Sequence, residues 1–161
     1  MRTRSTLAKR PRRSIAVQRA ARGAPRARRL RAWALAAARA GSEVTLRVVG
    51  AAESRRLNRR HRGRDYATNV LSFAYAPTHS VRSTPRSTTV RGDIVLCHPV
   101  IRREARAQGK TLAAHYAHLV VHGMLHLRGM DHARAREAAS MERAEIRILR
   151  RLGVADPYAV E

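Results

Sequence analysis

The sequence predicts one domain that combines a small sheet with a larger set of helices. Three observations lead there. Four segments of strand length are apolar or alternate in polarity, five longer stretches repeat apolar residues at helical spacing, and Gly, Pro or capping residues separate them. With 161 residues the chain fits a single domain and can bury a respectable core. Residues 1–13 (MRTRSTLAKRPRR) carry Arg2, Arg4, Lys9, Arg10, Arg12 and Arg13 without apolar periodicity. They are expected to be a disordered basic tail, leaving residues 14–161 as the folded domain.

SIAVQ (14–18) is a short strand, and a loop follows over 19–24. Pro25 suits a first helical turn, and the run to Ala40 places Leu30, Trp33 and Ala37 on one stripe before Gly41 ends it. EVTLRVV (43–49) alternates Val44, Leu46 and Val48 and is a strand. AAESRRLNRRH (51–61) is a short helix with Leu57 inward and Arg55, Arg56, Arg59 and Arg60 outward. Residues 62–68 are a loop and 69–75 a strand rich in β-formers. Residues 76–91 hold Pro77, Pro85 and many Ser and Thr, as a mobile surface loop would. GDIVLC (92–97), nearly all apolar, is a central strand. His98-Pro99 opens a helix to about residue 108. Thr111 caps the next helix over 112–127, with the stripe Leu112, Tyr116, Leu119, Val120 and Gly123. Residues 133–152 form a last helix with Met141, Ala144, Ile148 and Leu152 at helical spacing, and the chain finishes DPYAVE.

The net charge is +23, from 34 Lys and Arg against 11 Asp and Glu, and only Lys9 and Lys110 are lysine. Such a surface attracts polyanions: RNA, DNA or an anionic membrane. The alternative is compositional bias toward Arg and Ala without a specific partner. Cys97 is the only cysteine, so no intramolecular disulfide forms and a reducing, cytoplasmic location is expected. No apolar run approaches the ~20 residues that span a bilayer. AWALAAA (32–38) is too short and too far from Met1 for a signal peptide and is read as helix. The Arg-rich start, free of acids until Glu43, also resembles an organellar transit peptide, but ordered structure is expected from residue 14.

The stretch HGMLHLRGMDH (122–132) carries three histidines spaced four and then six residues apart. His122 and His126 at i, i+4 project from one helical face, close enough to share a metal ion. Continued helix would turn His132 away by about 240° and carry it about 9 Å along the axis. Gly129 is the residue that ends helices, and a stop there lets the chain bring His132 back. Three neutral imidazoles and an open position make a catalytic zinc site rather than a closed structural one. The spacing equals that of the metzincin proteases, HExxHxxGxxH, but Gly123 stands where their general-base glutamate stands. His115 and His118 extend the same histidine row.

The chain also resembles the YbeY family of bacterial zinc-dependent endoribonucleases, the rRNA maturation factors. Four blocks carry the resemblance in order: VTLRVV…AESRRLN, RGRDYATNVLSF, GDIVLC and GKTLAAHYAHLVVHGMLHLRGMDH, with DPY near the end. The resemblance implies an α+β domain with a small mixed four-stranded sheet, about five helices and a zinc-carrying helix. It implies cleavage of single-stranded RNA, 16S rRNA 3′-end maturation and ribosome quality control. By motif position, His122, His126 and His132 would be the ligands of one Zn²⁺ per chain, and Arg62 matches the arginine implicated in RNA cleavage. The sequence departs from the family in its rich basic tail, in NVLSFA for the commoner NVLSFP, and in Arg on the last helix where relatives are often acidic.

Zinc lowers the pKa of a bound water toward ~7 and polarises a phosphoryl oxygen. A guanidinium such as Arg62 offers paired planar donors to the charge that builds on a phosphodiester. A solvated arginine is the bland reading. Asp131 either orients a ligand imidazole, serves as a base, or caps the turn after Gly129. His118 either touches substrate or supports the site from behind. Asn69 and Ser72 lie on a strand that can pass the metal and bind an extended ligand, or are ordinary strand residues. Asp93 supports a loop or an imidazole, and Cys97 is core. The expected function is therefore a zinc endoribonuclease of the cytoplasm, monomeric, with single-stranded RNA, rRNA and the small ribosomal subunit as partners and no membrane. A metalloprotease and a non-catalytic RNA- or ribosome-binding protein with structural zinc are the alternatives.

Overall fold

The computed structural model describes residues 12–75 and 90–159. The expected disordered tail, apart from Arg12 and Arg13, and nearly all of the expected loop over 76–91 lie outside the described residues. The elements run β1 (Ser14–Arg19), α1 (Ala27–Ala37), β2 (Glu43–Val49), α2 (Ala51–Arg62), β3 (Val70–Ala74), β4 (Arg91–Cys97), α3 (His98–Ala107), α4 (Leu112–Leu127) and α5 (Ala135–Arg151). The sheet order is β1-β2-β4-β3, with β1, β2 and β4 parallel and β3 antiparallel on β4. The fold is α+β with a mixed four-stranded sheet and five helices.

The alternation in EVTLRVV sends Val44, Leu46 and Val48 into the main core, where they meet Ile15, Ile94, Leu96 and the helices α1 and α4. The other sheet face has a smaller apolar cluster of Val49, Leu71 and Val95, packed with Leu57 and Phe73. α4 is buried on almost every side: Tyr116, Ala117, Leu119, Val120, Val121, Met124, Leu125 and Leu127 all enter the core. Thr111 caps it as expected, Oγ1 accepting from Ala114 N at 3.1 Å.

Two departures from the sequence reading have physical causes. α1 ends at Ala37, three residues early, because residues 39–42 close a turn in which Ser42 N donates to Arg39 O (3.1 Å) and Gly41 takes φ 79°. On α2 the buried residues are Ser54 and Asn58, while Leu57 is only half-buried. Ser54 Oγ donates to Thr68 O (2.8 Å) and accepts from Thr68 N (3.1 Å), and Asn58 Nδ2 donates to Tyr66 O (2.9 Å). These two polar side chains pin the segment after α2, whose backbone would otherwise lack partners.

Gly92 sits where β3 and the end of α4 both crowd β4. A Cβ on Gly92 of β4 would fall 2.3 Å from Phe73 O and 2.8 Å from Leu127 Cδ2. Gly92→Ala is therefore expected to destabilise by roughly 1–3 kcal/mol or more through overpacking against backbone that cannot yield. Denaturant unfolding at fixed metal content checks this, and an unchanged midpoint would refute the close-packing account.

Candidate metal centre

α4 sets His122 and His126 one turn apart, with ring centroids 4.6 Å from each other. Its C-terminal end is closed by Gly129 N donating to His126 O (2.9 Å) and Met130 N to Leu125 O (3.1 Å), with Gly129 at φ 84°. The reversal returns His132 to within 5.0 Å of the His126 ring and 5.8 Å of the His122 ring. One nitrogen from each of the three histidines can be chosen so that all lie within 4.8 Å of one another, a donor set able to hold a metal ion.

The three imidazoles form one wall of a cleft of about 580 Å³, which Arg62, Thr68, Asn69, Val70, Ser72, Met130 and Asp131 complete. Arg62 is the last residue of α2, where four basic side chains crowd the negative end of the helix dipole. It is exposed and makes no hydrogen bond or ion pair with any described residue. Ser72 lines the cleft from β3, the edge strand. Asn69 also lines it, but its Nδ2 donates to Glu104 (3.1 and 3.3 Å) and its Oδ1 accepts from Val70 N. Asp131 is 59% exposed, and its Oδ1 accepts from His132 N at 2.7 Å, the geometry of a cap on the turn. His118 lies outside the cleft, behind His122. Asp93 accepts from the Tyr75 hydroxyl and lines a different pocket, and Cys97 is fully buried.

The residue that sequence reasoning missed is Glu145. It sits on the apolar stripe of α5 between Ala144 and Ile148 and is completely buried. His122 Nδ1 donates to its Oε1 at 2.5 Å, while Oε2 accepts from the Tyr158 hydroxyl and, at 3.4 Å, faces His118 Nε2. The available signal was a carboxylate at a core position of an amphipathic helix, where an unpaired charge is costly. Burial works to raise the Glu145 carboxyl, but hydrogen bonds from His118, His122 and Tyr158 outweigh it and bring the group down to about 2. An ionised carboxylate only accepts, so His122 carries its proton on Nδ1 and leaves Nε2 free for a cation.

Gly123 faces the sheet. A Cβ there would stand 3.0 Å from Ile94 Cγ2 and 3.1 Å from Ser72 Oγ. The position that the metzincin proteases fill with their general-base glutamate is thus turned toward the sheet, where a side chain would crowd Ile94 and Ser72.

With this geometry in hand, comparison with known proteins is decisive. The family model "Endoribonuclease YbeY" matches residues 15–153. The chain belongs to this family. Relatives bearing the same name include one from Aromatoleum aromaticum, 52% identical over 151 residues, covering 91% of this chain and 92% of that one. Another, from Bordetella pertussis, is 57% identical over 119 residues, covering 74% and 71%. The solution structure of a Thermotoga maritima protein superposes with a TM-score of 0.54 at 20% identity, covering 91% of this chain and 99% of that one, and supports the fold alone. The resemblance of the four blocks to YbeY therefore holds over nearly the whole domain.

Burial lowers the imidazole pKa of His98, of His115 and of His126, the last also through repulsion by His122 and His132. The sign follows: below the ordinary value of 6.5 the unfolded chain takes up protons that these folded imidazoles refuse, so stability falls as pH falls. Glu145 acts in the same direction lower down, its contribution present above 4.5 and lost as pH drops toward 2. Thermal melts of metal-free protein should show a melting temperature that declines from pH 7.5 to 5.5, more shallowly in His98→Phe. Equal slopes in parent and variant would refute the assignment to His98.

Proposed function

We propose that the protein is a zinc-dependent endoribonuclease that cuts single-stranded RNA, acting in rRNA processing at the 3′ end of 16S rRNA and in ribosome quality control. The observation that carries this reading is a three-imidazole cluster facing a cleft that also holds an uncommitted arginine, in a chain of the YbeY family. The donor set suits zinc: three nitrogens, one of them oriented by a carboxylate, with no fourth protein ligand grouped with them among the described residues. His118, the candidate for a closing fourth ligand, groups instead with His122 and Glu145, which favours an open, catalytic position over a structural one.

When bound, zinc supplies Lewis acidity, lowering the pKa of a coordinated water and polarising a phosphoryl oxygen. The chain's own residues do the rest. Arg62 binds the non-bridging oxygens of the scissile phosphodiester and stabilises the charge that builds on them. β3 offers the edge that pairs with no other strand among the described residues, with Ser72 beside it, to an extended strand of RNA. Asn69, anchored by Glu104, fixes the start of that edge. Asp131 holds the turn that carries His132. A peptidase reading lacks its base, because Gly123 packs on Ile94. We assign rRNA and the small ribosomal subunit as partners, a monomeric state and a cytoplasmic location. No helix among the described residues is long and apolar enough to cross a membrane.

Purified protein, metal-loaded or chelated, is incubated with single-stranded RNA, duplex RNA and casein. Metal-dependent cleavage of single-stranded RNA is expected, abolished in His126→Ala and reduced roughly 10²–10³-fold in Arg62→Ala. Both variants cutting as fast as the parent would sink the proposal, and cleavage of casein would favour the peptidase.

We also assign the basic N-terminal segment to the electrostatic capture of RNA. Arg13 Nη1 already donates to Leu35 O (3.1 Å), so deletion of residues 1–11 spares that contact. The deletion removes Arg2, Arg4, Lys9 and Arg10. It should weaken RNA binding and flatten the dependence of log K on log salt, since fewer counterions are released. An unchanged slope in a salt titration would leave the segment without that role.

A further inference from the structure

We propose that Glu145 and Tyr158 are positioning residues for the metal: the buried carboxylate of α5 holds His122 by Nδ1, and the Tyr158 hydroxyl holds the carboxylate. The C-terminal DPY segment is thereby part of the metal centre. The inference rests on the reading of His122, His126 and His132 as metal ligands and does not require that the substrate be RNA.

The geometry is specific. Oε1 of Glu145 accepts a hydrogen bond from His122 Nδ1, and Oε2 accepts one from the Tyr158 hydroxyl, with His118 Nε2 alongside. Tyr158 is itself fixed from three sides. Its N donates to Asp156 Oδ1 (2.9 Å), Lys110 Nζ ties down Pro157 O (3.0 Å), and its ring meets His118 edge-on at 5.4 Å. Nothing here needs an apolar explanation. A helix packed on a helix at this point would be served by leucine, and a buried carboxylate is costly without a cation.

The charge balance points the same way. The chain holds 34 Lys and Arg, yet none pairs with Glu145 among the described residues; its partners are two imidazoles and a phenol. A cation held by the far nitrogen of His122 supplies the charge that the carboxylate lacks. In return the carboxylate fixes the tautomer and ring orientation of His122 and makes it a stronger donor.

The test uses the full chain and zinc alone, with no RNA. Zinc affinity is measured by competition with a chromophoric chelator, and melting temperature with and without zinc. Glu145→Gln should weaken zinc binding roughly 10–100-fold, and Tyr158→Phe should weaken it less but in the same direction. In both, the rise in melting temperature on adding zinc should shrink by more than the metal-free melting temperature changes. Affinities within about twofold of the parent, alongside a lowered metal-free melting temperature, would make the pair a structural link only and overturn the proposal. If Glu145→Gln does not fold, Tyr158→Phe decides, since it removes one hydroxyl from a ring that is 40% exposed. A parent that binds no zinc overturns this proposal with the metal reading. A parent that binds zinc but leaves RNA intact overturns only the nuclease.

Discussion

The close approach of α4 to β3 and β4 governs the rest of the molecule. Gly123 permits it from the helix, where a methyl group would stand about 3 Å from Ile94 and Ser72, and at Gly92 a methyl group would crowd Leu127 of α4 as well as the Phe73 carbonyl of β3. Because α4 beyond its first turn is otherwise sheathed in core, its rotation is fixed, and past Ala114 only the half-buried row His118, His122, His126 escapes full burial. That row is consequently held against the edge strand, and the cleft forms between them. A helix standing one methyl group further out would carry the same histidines but would not press them against Ser72 and β3.

The features legible in the sequence were those encoded locally. Thr111, the apolar run of α4 and the glycine at 129 sit within one stretch of chain, so the helix, its cap and the reversal that returns His132 followed from short-range rules. The central place of β4 followed from its apolar composition. Ser54, Asn58 and Glu145 did not follow. Each is a polar residue on a face that hydrophobic periodicity scores as a gap, and each acts on a partner remote in sequence: Thr68, Tyr66 and His122 lie 14, 8 and 23 residues away. Periodicity reports where water is excluded; it does not report which buried polar atoms must find each other.

Electrostatics divides the acids into two groups. Glu43, Glu53 and Asp65 make surface ion pairs with Arg91, Arg47 and Arg55, partly or largely exposed, and such pairs contribute only about 0–1 kcal/mol each. Glu104 and Glu145 instead face imidazoles beneath the cleft: His115 at 2.8 Å for the first, His118 and His122 for the second. These two carboxylates are thus occupied with histidine and do not neutralise arginine, while Asp131 on the cleft wall accepts from His132 N. Among the described residues Arg62 makes no ion pair and lines the cleft. With 34 basic side chains against 11 acidic ones, the acids are too few to pair one to one with most arginines, so an incoming polyanion competes largely with water rather than with internal ion pairs.

Gly123 ties this electrostatic arrangement to the packing. The ligand spacing is that of a metalloprotease, and in isolation it suggests that one substitution, glycine to glutamate, would restore peptide hydrolysis. The packing resists so small a step: the position faces Ile94 and Ser72, whose side chains must give way before any side chain fits there. The missing base at this position thus goes with the packing of α4 on the sheet. Peptide hydrolysis calls for a base that accepts a proton in the cleft and a charge-poor approach for a neutral backbone. Phosphodiester cleavage calls for cationic donors around oxygens that are charged from the outset. The cleft of this chain, with three imidazoles, a guanidinium unpaired among the described residues and a glycine at the protease position, meets the second requirement and not the first.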